Sequence, residues 1–193
     1  KSEFSTLRQY EGMSGFPKRK ESDCDAFDTG HSSTSISVAT GLVKARDLSG
    51  GTQKIVAVIG DGALSGGMAF EALNNAGRLK TNLMIVLNDN NMSISENVGG
   101  MATYLGKVRT NTAYTDFKGN LENTLKKVPK LGDFIVNTLK QSKDSIKHLM
   151  IPGMLFEDMG LTYIGPIDGH NISQMLTAFQ SASRKKGAVL IHV

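Results

Sequence analysis

Two short apolar runs in the sequence end in residues able to hold a hard cation. Ile55 to Ile59 breaks off in Gly60-Asp61-Gly62, and Leu83 to Leu87 breaks off in Asn88-Asp89-Asn90. A carboxylate from Asp61 and an amide oxygen from Asn90 suit magnesium, which takes one or two carboxylate-type ligands from protein and completes its shell with phosphate and water oxygens. The main-chain carbonyl of Met92, just beyond Asn90, offers a further oxygen, while the Met92 side chain is expected to pack in the core. Gly62, Gly66 and Gly67 carry no side chain to hold a diphosphate away from main-chain N–H groups. A second set of donors lies in Gly30-His31-Ser32-Ser33-Thr34-Ser35, where hydroxyls at a helix start either cap the helix or meet an anion. Taken singly, an Asp-Gly pair is a common turn and a Ser-rich segment a common cap. Together they make the stretch from Lys54 to Ser95 a magnesium and diphosphate site, with the serine-rich segment as its complement.

These groups act only if the chain gathers them. The two runs are short, rich in Ile and Val, and separated by a helix-length segment, Met68 to Leu79. That pattern fits a parallel βαβ unit better than a hairpin. It puts Asp61 and Asn90 at neighbouring carboxyl ends of strands, the edge of an open α/β sheet where ligands bind. The expected fold class is therefore α/β, an open, mostly parallel sheet with helices on both faces, incomplete at one or both ends. Residues 1–30 are polar and Gly-punctuated, and read as an extended or looping segment. A helix follows up to Leu48, with Ser32 or Ser33 as its cap and Ile36, Ala39, Leu42, Val43 and Arg46 at helical spacing. Gly62 to Gly67 reads as a flexible bend. Further helices are expected at Met101 to Val108 and Ser173 to Ser183, and strands at Leu161 to Ile164 and Ala188 to Val193. Between them, Leu121, Leu125, Val128, Leu131, Ile135 and Leu139 mark a lysine-rich helical excursion at about 110–150, divided by Pro129. The last strand has no covering element after it, and reads as a cut sheet edge. His170 stands in the turn after the third strand, where an isolated His is more often incidental than a site residue. Glu71 reads equally as a surface residue or as one pointing at a partner subunit.

Composition sets bounds on function. A chain of 193 residues with a 39% hydrophobic fraction can build one well-packed domain. Its longest aliphatic run, Leu83 to Leu87, falls far short of the ~20 residues of a membrane span. The net charge of +4 is spread along the sequence without interleaved aromatics, so neither a nucleic-acid stripe nor a stacking platform is present. Mildly basic character does suit phosphorylated small molecules. Cys24 is the single cysteine, which excludes an intrachain disulfide and makes a reducing, cytoplasmic setting the default. The chain starts without Met or an apolar leader and reads as a piece of a longer protein.

The motifs also carry a family resemblance. GDG followed by NDN resembles the fingerprint that anchors magnesium and the diphosphate of thiamine diphosphate. GMSGFPKR at Gly12 to Arg19, DTGHSSTSIS at Asp28 to Ser37, VIGDGALSGGMAFEALNNAG at Val58 to Gly77, LNDNNMSIS at Leu87 to Ser95 and YIGPIDGHN at Tyr163 to Asn171 together resemble the 1-deoxy-D-xylulose-5-phosphate synthase family over nearly the whole chain. GHSSTS with GDGALSGGMAFEALN is what separates that family from ordinary transketolases and decarboxylases. Cys24, Asp28 and Asn91 depart from the family pattern beside the site.

The resemblance implies magnesium ligands at Asp61, the Asn90 side chain and the Met92 carbonyl. It implies diphosphate contacts from the backbone of Gly62 and Ala63 and from Asn90, and a cofactor lining of Gly30, His31 and Ser32, with His31 counted as catalytic. It further implies that residues 1–193 are the pyrophosphate-binding domain, with the pyrimidine-binding and C-terminal domains absent. The complete enzyme, a homodimer, would condense pyruvate with D-glyceraldehyde 3-phosphate, releasing carbon dioxide and feeding isoprenoid and thiamine biosynthesis; the chain alone would be inactive. Two rival readings are a subunit of a split transketolase, moving two-carbon units between sugar phosphates, and a non-catalytic module that stores or senses thiamine diphosphate. A nucleotide-phosphate domain is disfavoured because neither a P-loop nor a dinucleotide fingerprint occurs in the sequence.

Overall fold

The computed structural model describes residues 2–90, 92, 98–110 and 153–193. The helical excursion expected at about 110–150 and the departure at Asn91 lie outside these residues. Within them, β1 (Val56–Gly60), β2 (Leu83–Asn88), β3 (Thr162–Ile164) and β4 (Ala188–His192) form one sheet in the order β1-β2-β4-β3. Every pairing is parallel. Gly60 stands opposite Asn88, Leu87 opposite His192, and Tyr163 opposite Leu190, so the carboxyl ends of all four strands share one edge.

Alternation along the strands divides the core in two. Ala57, Ile59, Leu83, Ile85, Leu87, Ala188 and Leu190 face one side. There they pack on Ile36, Ala39 and Val43 of α1 (Ser35–Leu48), Leu73 of α3 (Gly67–Leu79), Leu105 of α4 (Gly100–Thr110) and Phe156 of α5 (Met154–Asp158). Val189 and Ile191 face the other side and pack on Ala178 and Ala182 of α6 (Ile172–Ser183). The crossover from β1 to β2 therefore covers one face and that from β3 to β4 the opposite face. Because the two crossovers run in opposite directions across the sheet, both can be right-handed. The expected α/β class, with helices on both faces, is the one observed.

Local sequence explains where the helices start and stop. Asn171 caps α6, its side chain accepting the Gln174 N–H at 3.1 Å. Lys80 ends α3 in the left-handed region at φ 50°. Arg46, in α1 at the helical spacing expected, donates to the carbonyls of Gln53 and Asn82 at 3.1 and 3.0 Å, tying the end of α1 to the entry of β1 and β2. Arg46 also holds the Asp47 carboxyl below the ordinary carboxylate range.

Several expectations change. Residues 2–6 form a short 3-10 turn rather than a loop. Gly62 to Gly67 is not a flexible bend: Asp61–Leu64 closes into a one-turn helix, α2, ahead of α3. Neither Ser32 nor Ser33 caps α1, which starts later behind Thr34 with no side-chain cap bond. The strand Ala188–His192, read as a cut edge, lies inside the sheet between β2 and β3 and is buried along its length. Among the described strands the edges are β1 and β3. Among the described residues, no helix is long and apolar enough to cross a membrane.

Candidate functional site

The site forms where β1 and β2 end side by side. Gly60 and Asn88 are register partners on strands ~4.8 Å apart, so the residues just beyond them meet at the same edge. Asp61 is the first residue of α2 and only 5% exposed. Its carboxyl accepts from the main-chain N–H groups of Gly62 and of Asp61 itself. Burial first, and then the negative charge of Asp89, push its pKa up; the main-chain hydrogen bonds work against that shift. A cation placed beside these two neighbouring carboxyls would relieve their repulsion, so the residues present are compatible with a hard ion such as magnesium.

Asn90 is exposed, and its Oδ1 accepts the Met92 N–H at 3.0 Å. This turn draws the Met92 backbone towards the Asn90 side chain, and an amide oxygen with two lone pairs retains acceptor capacity. The Met92 side chain, expected in the core, is 69% exposed, because it lies past the end of β2 and beyond the sheet's cover. Among the described residues no group of three or more His, Cys, Asp or Glu side chains is arranged to hold a metal. The donors at this edge are the Asp61 carboxyl, with Asp89 behind it, the Asn90 amide oxygen and main-chain carbonyls, an oxygen set of the kind magnesium takes rather than zinc.

The serine-rich segment reaches this turn through one bond. Ser33, in the left-handed region at φ 66°, donates its Oγ–H to the Ala63 carbonyl at 2.7 Å, and that carbonyl also accepts the Gly66 N–H. A side chain at Gly66 would collide with the Ser33 hydroxyl, so a glycine is needed for the approach. Ser33 thus docks the loop instead of capping α1. Gly30, His31 and Ser32 lie just before it and are exposed. His31 donates its N–H to Thr29 Oγ1 at 3.2 Å, and its carbonyl accepts from Thr34 Oγ1 at 3.3 Å. Gly62 and Ala63 are half-buried in α2.

The remaining candidates lie elsewhere. His170 is fully exposed in the turn beyond β3, its ring 3.6 Å from Asp168. Glu71 is exposed and lines an open groove between α1 and α3, with Lys44, Met68 and Arg78.

A polar row behind Asp61 was missed by sequence reasoning. Tyr163 on β3, His192 at the end of β4, Asp89 beyond β2 and Asp61 beyond β1 take one residue from each strand in sheet order. Tyr163 Oη lies 2.8 Å from His192 Nδ1, and His192 Nε2 lies 3.0 Å from Asp89 Oδ2. The His192 and Asp89 side chains are each 1% exposed. The signals were a single His in the otherwise apolar run Ala188 to Val193, and the Asp between the two asparagines of NDN.

The comparisons with known proteins agree with this architecture. The family model described as 1-deoxy-D-xylulose-5-phosphate synthase matches residues 1–193. A protein of Lachnoclostridium phytofermentans named 1-deoxy-D-xylulose-5-phosphate synthase is 82% identical over 192 residues, and one of that name from Desulforudis audaxviator is 58% identical over 193 residues. The chain is covered completely in both matches and spans 31% and 30% of the two relatives. A solved structure from Mycobacterium smegmatis, described as a putative thiamin diphosphate-dependent enzyme, superposes with a TM-score of 0.51 at 12% identity. That match covers 85% of this chain and 22% of the other, and at such identity it speaks to fold alone. With a family model matched along its whole length and relatives of the same description sharing more than half of its residues, the chain belongs to the 1-deoxy-D-xylulose-5-phosphate synthase family.

Proposed function

We propose that this chain holds magnesium and the diphosphate end of thiamine diphosphate within a transferase that condenses pyruvate with D-glyceraldehyde 3-phosphate and releases carbon dioxide. The observation that carries this reading is the convergence at one sheet edge: a buried Asp61 with a raised pKa, Asn90 on the neighbouring strand end, and the serine-rich loop docked by Ser33 on Ala63. In this reading Asp61, the Asn90 side chain and the Met92 carbonyl hold the metal. The backbone of Gly62 and Ala63 lies against the diphosphate, while Gly30, His31 and Ser32 line the cofactor. The Gly62 N–H keeps the Asp61 carboxylate aimed. His31 is exposed next to the docked loop and is the residue assigned to proton exchange with bound substrate.

When bound, thiamine diphosphate supplies the electron sink for loss of carbon dioxide from a 2-oxo acid. The chain's part is to fix the anionic tail, so that the reactive end projects in one direction. Relatives three times as long as this chain support the further proposal that the 193 residues alone do not turn over. The family resemblance carries the rest of the reading, a complete protein that is a cytoplasmic homodimer serving isoprenoid and thiamine biosynthesis.

The test compares the full-length protein with residues 1–193, each supplied with magnesium, thiamine diphosphate, pyruvate and D-glyceraldehyde 3-phosphate. Carbon dioxide release by the full-length protein and none by the short chain is expected. Turnover by the short chain, or full-length protein that leaves pyruvate intact, would overturn the reading. Light scattering of the full-length protein checks the dimer.

A further inference from the structure

The buried row at the carboxyl edge has a direction. A neutral imidazole has one N–H and one acceptor nitrogen. A tyrosine hydroxyl facing Nδ1 at 2.8 Å can donate to it, whereas a carboxylate facing Nε2 at 3.0 Å can only accept. The arrangement that satisfies every group is Tyr163 O–H to His192 Nδ1 and His192 Nε2–H to Asp89 Oδ2. Donors thus run along the sheet and end on Asp89, which follows Asn88 as Asp61 follows its register partner Gly60, so that the two carboxyls stand side by side at the strand ends.

Each member is held from outside the row. The Tyr163 ring stacks on Phe156, with centroids 5.9 Å apart and planes 5° from parallel. Gly153, at φ 89°, packs so close to the Tyr163 ring that no side chain fits there. The Asp89 N–H donates to the Val193 carbonyl at 2.7 Å, fixing the backbone after β2 to the strand that carries His192. Burying the His192 and Asp89 side chains to 1% exposure is costly unless their hydrogen bonds are met, as they are here.

We propose that His192 is a positioning residue for the metal site: supported by Tyr163, it clamps the Asp89 carboxylate, whose fixed like charge beside Asp61 turns the Asp61 carboxylate away from itself and towards the cation. The inference rests on the proposed role of Asp61 as a metal ligand. Outer partners of this kind hold a ligand in its productive geometry, and their loss weakens metal binding without removing a ligand.

The test measures magnesium binding calorimetrically to the full-length protein in saturating thiamine diphosphate, with thermal melting in the absence of metal as a control for folding. His192→Phe fills the space and removes the donor, and should weaken magnesium binding about tenfold or more. His192→Gln restores an N–H near the Nε2 position and should return affinity to within about threefold of the parent. Full affinity in His192→Phe, or equal weakening in both variants, would overturn the proposal. If His192→Phe does not fold, Tyr163→Phe decides, since it keeps the ring stack and removes only the hydroxyl. Magnesium affinity lowered about threefold or more at an unchanged melting temperature supports the clamp, and unchanged affinity refutes it. Asp61→Ala is measured alongside. If it leaves magnesium binding intact, the metal assignment itself fails; if it abolishes binding while His192→Phe does not weaken it, only the clamp fails.

Discussion

Magnesium binding at Asp61 should expel a proton, and this makes its pH dependence a strict test. The metal-free Asp61 carboxyl has its pKa raised above 3.8, through burial and the neighbouring charge of Asp89. A cation needs the ionised form, so below the raised value proton and metal compete. Affinity should then fall about tenfold for each pH unit of further acidification, the signature of one proton displaced, and level off above the raised value. The linked stability has the opposite slope. A carboxyl with a raised folded-state pKa keeps its proton longer when folded than when unfolded. The metal-free protein should therefore lose stability as pH climbs from about 3.8 to the raised value, by at most about 1.36 kcal/mol per unit crossed. Excess magnesium should remove that loss. The assay is calorimetry of magnesium binding between about pH 4 and 7, in buffers of differing ionisation heat, so that proton release is counted directly. Asp61→Asn removes the competing proton, and should bind weakly with little pH dependence. Parent affinity that is flat over the range, or proton release that persists in Asp61→Asn, would refute the reasoning.

Three further outcomes follow from particular contacts. Ser33→Ala loses the 2.7 Å bond to the Ala63 carbonyl. It should cost about 0.5–1.5 kcal/mol in docking the 30–34 loop, read as severalfold weaker binding of thiamine diphosphate with a nearly unchanged melting temperature. Gly77→Ala forces a methyl into the Met159 carbonyl, where α3 meets the turn before β3. Backbone cannot yield as a flexible side chain would, so a loss of about 1–3 kcal/mol in denaturant titration is expected. Asn171→Ala removes the side-chain acceptor at the start of α6, and should cost about 1 kcal/mol by the same assay.

The sequence made the sheet and its reactive edge legible for a simple reason. Buried parallel strands are nearly continuous apolar runs, and polar residues such as Asp61 and Asn90 must wait until the strand has left the core. Helix positions followed from period, since Ile36, Ala39 and Val43 sit one turn apart on the buried side of α1. What remained hidden depends on partners distant in sequence. Ser33 looks like a cap until Ala63 is beside it. Met92 looks like core material until β2 is seen to end before it. The position of β4 inside the sheet is set by pairing with both β2 and β3, which no local pattern reports. The link from Tyr163 through His192 to Asp89 spans three strands, and becomes visible only when the strand order is known.

The most direct measurement is the anomalous diffraction signal of manganese in crystals of the full-length protein grown with thiamine diphosphate, manganese standing in for magnesium as another hard, oxygen-preferring ion. The account predicts one strong peak within coordination distance, about 2.0–2.3 Å, of an Asp61 carboxylate oxygen, with Asn90 Oδ1 and the Met92 carbonyl completing the protein ligands. A peak at other residues, with Asp61 still turned away from the metal, would contradict it.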